Sequence, residues 1–189
     1  CYGCPNGYSA MGGQTLHPYG RKILDTGGSS SGSGVSTTSN LVAGSLGSET
    51  SGSILSPSSA NSVVGMKPTV GNVSRAGIVP ISSTLDTAGP MTKFVIDNIL
   101  IYNAINDFDP IDEYSVENYD IKLESVIDNK TIKYRIGYYK SFYERDLLYK
   151  NSIDFLKEKG LDLIDIDAPD IRLEGFAKIL DEDMRHDLR

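Results

Sequence analysis

Two serine and glycine clusters have residue types that could do chemistry. They are Gly27-Gly28-Ser29-Ser30-Ser31-Gly32-Ser33 and Gly47-Ser48-Glu49-Thr50-Ser51-Gly52-Ser53-Ile54. A serine hydroxyl attacks a carbonyl well only when a neighbour takes its proton and donors face the oxyanion. A tight Gly/Ser turn can supply those donors as backbone N–H groups. A short helix opening near Ser53 would add the positive end of its dipole. Many Ser/Gly turns are only turns, so the residues alone leave both readings open. Gly28-Ser29-Ser30-Ser31-Gly32 also fits the Gly-x-Ser-x-Gly elbow, with Ser30 as nucleophile. That elbow follows a buried strand. Residues 20–26 make a poor one, and His186 is the only histidine downstream.

Other reactive side chains are sparse. Cys1 and Cys4 form a Cys-x-x-Cys, but a zinc site needs two more ligands and only His17 and His186 remain. Two thiols near a frayed end is the simpler reading. His17 precedes Pro18 in a loop, and His186 lies on a charged helix. Asp165, Asp167, Asp181, Glu182 and Asp183 match no calcium loop and read as a solvated acidic face. No metal and no cofactor is expected.

The elements that must position these residues change character along the chain. The first half is rich in Gly, Ser and Thr, and the second is charged and periodic. Residues 27–62 alone resemble a flexible linker. Yet apolar clusters recur there at Leu41-Val42-Ala43, Ile54-Leu55 and Val63-Val64, which suggests short strands and turns. Thr92 is placed to cap a helix carrying Phe94, Val95, Ile99, Tyr102 and Ile105. Residues 112–130 read as a loop and residues 132–138 as a strand. A helix follows over residues 144–159 with Leu147, Leu148, Ile153 and Leu156 inward, stopped by Gly160. Residues 163–167 read as a strand and 171–188 as a last helix. Alternating strands and helices imply an α/β arrangement.

The 189 residues carry a net charge of −7 and are 39% hydrophobic. That balance argues against nucleic-acid partners and anionic membrane surfaces. With no spanning apolar run and no signal-like start, the expected compartment is the cytoplasm.

The two clusters and three later blocks resemble the amidase signature family. Gly27 to Ser33 is similar to its Gly-Gly-Ser-Ser-Gly-Gly-Ser stretch, and Gly47 to Ile54 to its Gly-Thr-Asp-x-Gly-Gly-Ser-Ile. Val64-Gly65-Met66-Lys67-Pro68-Thr69-x-Gly71, Val73-Ser74-Arg75-x-Gly77-Ile78-Val79-Pro80 and Asp86-x-x-Gly89-Pro90-Met91 continue the pattern in order. The resemblance implies a mixed β-sheet flanked by helices, an α/β/α core, here incomplete. It divides the chain into a catalytic core over residues 5–95 and a peripheral portion over 96–189 of one partial domain. It implies amide hydrolysis by a Ser–cis-Ser–Lys triad. Ser53 would be the nucleophile and Ser29 the bridging serine, in a cis peptide with Gly28 and within hydrogen-bond reach of Ser53. The N–H groups of Thr50, Ser51, Gly52 and Ser53 would form the oxyanion hole, with Ser30 supporting. Arg75 and Asp86 would be framework residues forming a supporting ion pair.

The chain departs from the family at several positions. Ser31 and Ser51 stand where glycine is usual, and Leu55 where many members carry arginine. The family's lysine lies well upstream of the bridging serine, in a region this chain lacks. Lys22 is too close to Ser29 to be that lysine, and Lys67 belongs to the structural Lys-Pro-Thr block. The isolated chain is therefore expected to be inactive. The expected substrate is a small amide or a C-terminally amidated peptide. Homo-association, or a missing amidase portion as partner, is also expected. The alternatives are an inactive or partner-dependent remnant and an A-type amidotransferase component.

Overall fold

The computed structural model describes residues 4–127, 134–169 and 174–188. In chain order the elements are β1 (Tyr8–Ser9), β2 (Gly13–Gln14), α1 (Ser31–Thr38), β3 (Gly44–Glu49), α2 (Leu55–Ala60), β4 (Val64–Gly65), β5 (Thr87–Thr92), α3 (Val95–Ile105), α4 (Leu123–Ile127), β6 (Arg135–Tyr139), α5 (Lys140–Arg145), α6 (Leu147–Glu158), β7 (Asp162–Ile166) and α7 (Phe176–Asp187). The fold is α/β, and it divides into two compact units. One comprises Cys1–Leu123 with Phe176–Arg189, and the other Glu124–Gly175. Helix α3 belongs with the first unit, so the composition change near residue 90 is no unit boundary.

The first unit centres on an antiparallel sheet of order β3-β5-β4. Gly44 to Glu49 of β3 pair with Thr92 to Thr87 of β5, and Val64 and Gly65 pair with Thr92 and Met91. Helices α1 and α3 both pack on β5, whose six residues are all buried. Pro90 tolerates a central strand because its carbonyl accepts from Met66 N–H, so its missing N–H falls on the side where short β4 ends. The Asn98 amide on α3 ties the sheet together by donating to the Val64 and Pro90 carbonyls and the Thr92 hydroxyl. Below it Val73, Ala88 and Tyr102 form an apolar cluster with Met66, Ile105 and Ile121.

The Gly/Ser-rich half is thus no linker. Ser30, at the cap position of α1, and Ser33 and Thr37 within it satisfy polar groups of β3. Ser33 Oγ donates to the Leu46 carbonyl at 2.7 Å. Ser30 Oγ donates to the Ser48 carbonyl and accepts from Ser48 N–H, both at 3.2 Å. Thr37 Oγ1 meets Ser45 Oγ at 2.9 Å. Leu46 and Ser48 turn these groups away from β5, so serine hydroxyls cover what is otherwise a bare strand edge.

Several expected elements shift. Leu41 and Val42 lie exposed in a bend, not a strand. Thr92 is the last residue of β5, not the helix cap; Phe94 occupies the cap position and is exposed with Val95, while Ile99 and Tyr102 are buried. Within residues 112–130 a short helix, α4, appears. Residues 132–133 and 171–173, the starts of an expected strand and helix, lie outside the described residues.

In the second unit β6 and β7 pair in parallel, from Arg135 with Asp162 to Tyr139 with Ile166. The expected single helix is two, because Asp146 breaks it in extended conformation and caps α6 through Tyr149 N–H at 2.9 Å. Ile153 is buried, but Leu147 and Leu148 are exposed. Two strands offer too narrow an apolar surface to cover a wide helix stripe. Gly160, at φ +79°, stops α6 as expected.

Candidate active site

Strand β3 ends at Glu49, and the chain must turn at once into α2. Gly52 makes that turn with φ +90°. A positive φ among ordinary residues is the alternation that builds concavities of backbone N–H groups. The N–H groups of Thr50, Ser51, Gly52 and Ser53 have no acceptor among the described residues. The next two do. Glu49, 4% exposed, accepts Ile54 N–H at 2.7 Å and Leu55 N–H at 2.9 Å on Oε2. The glutamate side chain thus reaches the opening of α2.

The Gly28–Ser29 peptide bond is cis. Ser30 N–H donates to the Ser53 carbonyl at 3.1 Å, which joins the two serine clusters through backbone. Gly27, at φ +64°, lies so close to Pro57 that a Cβ would sit 2.6 Å from its backbone N and Cα. Ser29 is exposed and Ser53 half-buried. No hydrogen bond joins their hydroxyls, contrary to the expectation, because the contact between the clusters is made by main chain at Ser30 and Ser53. Ser29 lines two open grooves. One also has Ser30, Leu46, Ser48 and Ile78; the other has Cys4, Asn6, Tyr8 and Thr15. Ser30 Oγ is held by the Ser48 carbonyl and N–H. No strand runs directly into Ser29: residues 20–28 are turn, bend and coil, which removes the frame an elbow needs.

Neither Lys22 nor Lys67 bonds to these serines. Lys67 Nζ donates to the Pro68 carbonyl at 3.2 Å. Arg75 and Asp86 do not form an ion pair. Arg75 instead engages Asp112, with its N–H and Nε donating to Oδ2 at 2.9 and 3.0 Å and Nη2 donating to Oδ1 at 2.9 Å. It also donates to the Ser83 carbonyl and stacks on the Tyr114 ring. The hydrogen bond from Arg75 holds the Asp112 carboxyl well below the usual carboxylate range, and Asp112 raises Arg75 in return. Asp86 Oδ2 accepts Ile81 N–H at 2.7 Å and Ser82 N–H at 2.9 Å, and Oδ1 accepts the Thr50 hydroxyl.

His17 accepts Tyr19 N–H on Nδ1, so Nε2 carries the proton and donates to the Ala60 carbonyl at 3.0 Å. It is a satisfied framework residue. His186 is exposed beside Asp187. Asp183 does not belong to a merely solvated face. It accepts the Ser82 and Thr84 hydroxyls at 2.5 and 2.8 Å, and Asp187 accepts Ser83 N–H at 2.6 Å. Cys4 is exposed, and Cys1 lies outside the described residues. Among the described residues no group of His, Cys, Asp or Glu is arranged to hold a metal, and no helix is long and apolar enough to cross a membrane. Sequence reasoning passed over Glu49, Asp112 and Asp187 and placed Asp183 on a solvated face. Only Glu49 had a local signal, as a carboxylate inside the second cluster.

The sequence and the fold match known proteins. The Amidase family's sequence model matches residues 2–180. A probable amidase of Arabidopsis thaliana is 54% identical over 112 residues, 59% of this chain and 22% of that protein. The A-type component of the glutamyl-tRNA(Gln) amidotransferase of Staphylococcus epidermidis is 37% identical over 176 residues, 86% of this chain and 36% of that protein. The crystal structure of an amidase family protein from Bacillus anthracis superposes with a TM-score of 0.86 at 34% identity, over 98% of this chain and 38% of that one. Native peptide amidase from Stenotrophomonas maltophilia gives 0.83 at 33%, over 97% and 40%. The chain spans well under half the length of each, and within that span it carries the family's two serine clusters on the family's fold: it belongs to the amidase family.

Proposed function

We propose that the protein bearing this chain hydrolyses a carbon–nitrogen amide bond, with Ser53 as nucleophile. The observation that carries this reading is the run of four unpaired N–H groups from Thr50 to Ser53, ending on the serine itself. Ser53 Oγ attacks the carbonyl carbon; its proton goes to the Ser29 hydroxyl, which must first turn toward Ser53, and from there to a lysine outside these 189 residues. Desolvation suits a lysine to that task by making it neutral near pH 7. The four N–H groups hold the oxyanion. The intermediate collapses, the amine leaves with the proton, and water releases the acid from Ser53 by the same route. Likeness to peptide amidase favours a small amide or a C-terminally amidated peptide as substrate. The second reading is an A-type amidotransferase component, favoured by the long match to the staphylococcal protein. An inactive remnant is the third.

The test is fluorophosphonate labelling of the chain, alone and complemented with a lysine-bearing amidase segment, with the adduct located by mass. Label on Ser53 that Ser53→Ala abolishes is expected. Label on Ser30 with none on Ser53 would overturn the assignment and favour the elbow. No label even when complemented favours the remnant.

A further inference from the structure

We propose that Asp86 is the positioning residue of the oxyanion turn, acting through the Thr50 hydroxyl; this rests on reading Thr50–Ser53 as the oxyanion donors. The last rung of the β3–β5 ladder pairs Glu49 with Thr87. One step further along the two strands stand Thr50 and Asp86. There the backbone pairing stops and a side-chain bond replaces it, Thr50 Oγ1 donating to Asp86 Oδ1. By the alternation that turns Leu46 and Ser48 outward, Thr50 N–H also faces away from β5, so the ladder itself gives Thr50 no hold there. The side-chain bond fixes Thr50 while leaving its N–H free for a ligand.

Asp86 can do this because it cannot move. It is 9% exposed, and its other oxygen accepts Ile81 and Ser82 N–H. Ser82 and its neighbours are gripped in turn by Asp183 and Asp187 of α7. A hydrogen bond to a held carboxylate is about twice as strong as a neutral one. The turn is therefore clamped at both ends by carboxylates, Asp86 at Thr50 and Glu49 at Ile54 and Leu55, and the four unpaired N–H groups are those between the clamps.

The experiment compares Thr50→Val, which loses the hydroxyl, with Thr50→Ser, which keeps it, in the intact 189-residue chain. Two readouts are taken. The first is amide hydrogen exchange at Ile54 and Leu55 against Asn98 in α3. The second is affinity for phenylboronic acid, whose boron bonds to Ser53 Oγ as the hydroxyl proton leaves to solvent and a tetrahedral anion forms. A donor displaced by a fraction of an ångström to an ångström costs about 10- to 100-fold. Thr50→Val is expected to speed exchange at Ile54 and Leu55 and weaken the boronate by that order, with Asn98 unchanged, and Thr50→Ser to restore both. Equal exchange in all three proteins, or loss in Thr50→Ser as large as in Thr50→Val, overturns the role of Asp86. Failure of the boronate to add to Ser53 in the parent chain, with the exchange pattern as expected, counts instead against Ser53 as nucleophile and leaves the clamp standing.

Discussion

Arg75 and Asp112 are 11% and 5% exposed at their side chains, and the pair is doubly hydrogen-bonded. A carboxyl with a lowered folded-state pKa binds fewer protons folded than unfolded, so stability rises with pH through its range. The contribution of Asp112 is complete above about pH 4 and is lost as pH falls from there toward its lowered value. Asp112→Asn leaves a buried guanidinium without a counter-charge. It should cost about 2–4 kcal/mol at neutral pH, read from the urea midpoint. The same measurement between neutral and acid pH should show a flatter profile for the variant. Asp109, lowered first by the Ser74 hydroxyl, and Asp187, lowered first by His186, keep some slope. Identical acid profiles would remove Asp112 from this account.

Two element-level contacts set where the serine clusters sit. Gly27 joins the segment before α1 to α2, with Pro57 backbone in the way of any Cβ. Gly27→Ala adds a left-handed φ penalty of about 1–2 kcal/mol and an overpacking cost of about 1–3 kcal/mol. A thermal-melt loss of about 2–5 kcal/mol is expected, and a neutral result would mean α2 can move away freely. Helix α7 is held to residues 82–84 by two carboxylates one helical turn apart, Asp183 and Asp187. Asp183→Ala frees the Ser82 and Thr84 hydroxyls together. Limited proteolysis should then cut within residues 176–187 faster than in the parent. Unchanged cleavage would assign the docking of α7 to Asp187 and Leu180 instead.

At the scale of the whole chain, the proposed reading needs a lysine for the proton of Ser53, and among the described residues no lysine bonds to Ser29, Ser30 or Ser53. Loss of one member of a nucleophile–base unit lowers kcat by about 10⁴–10⁶. The purified 189 residues should therefore turn over small amides and amidated peptides no faster than Ser53→Ala. Turnover that Ser53→Ala abolishes would refute this and make Lys67 and Lys22 the first candidates for the base. Ile23, Leu41, Val79, Ile111, Tyr119 and Leu148 are all large, apolar or aromatic, and exposed. Apolar surface of this kind favours association. Sedimentation should show mass rising with concentration, and a strictly monomeric chain would contradict it.

Local chemistry made the two serine clusters, the glycine stop at Gly160 and most strand and helix types readable in the sequence, because spacing and backbone freedom are short-range properties. Ordered blocks carried the family for the same reason. Partners across the fold were not readable. Arg75 could pair with any carboxylate, and only folding chose Asp112, 37 residues away, over Asp86, which then became free for Thr50. The exposure of Leu147, Leu148 and Val95 was equally hidden, since a helical period says which residues share a stripe but not whether a neighbour covers it. The residue types that could form the oxyanion turn were in the sequence. That the N–H groups of Thr50 to Ser53 meet no acceptor among the described residues was settled only by tertiary structure, where the ladder ends at Glu49 and carboxylates hold the turn on either side.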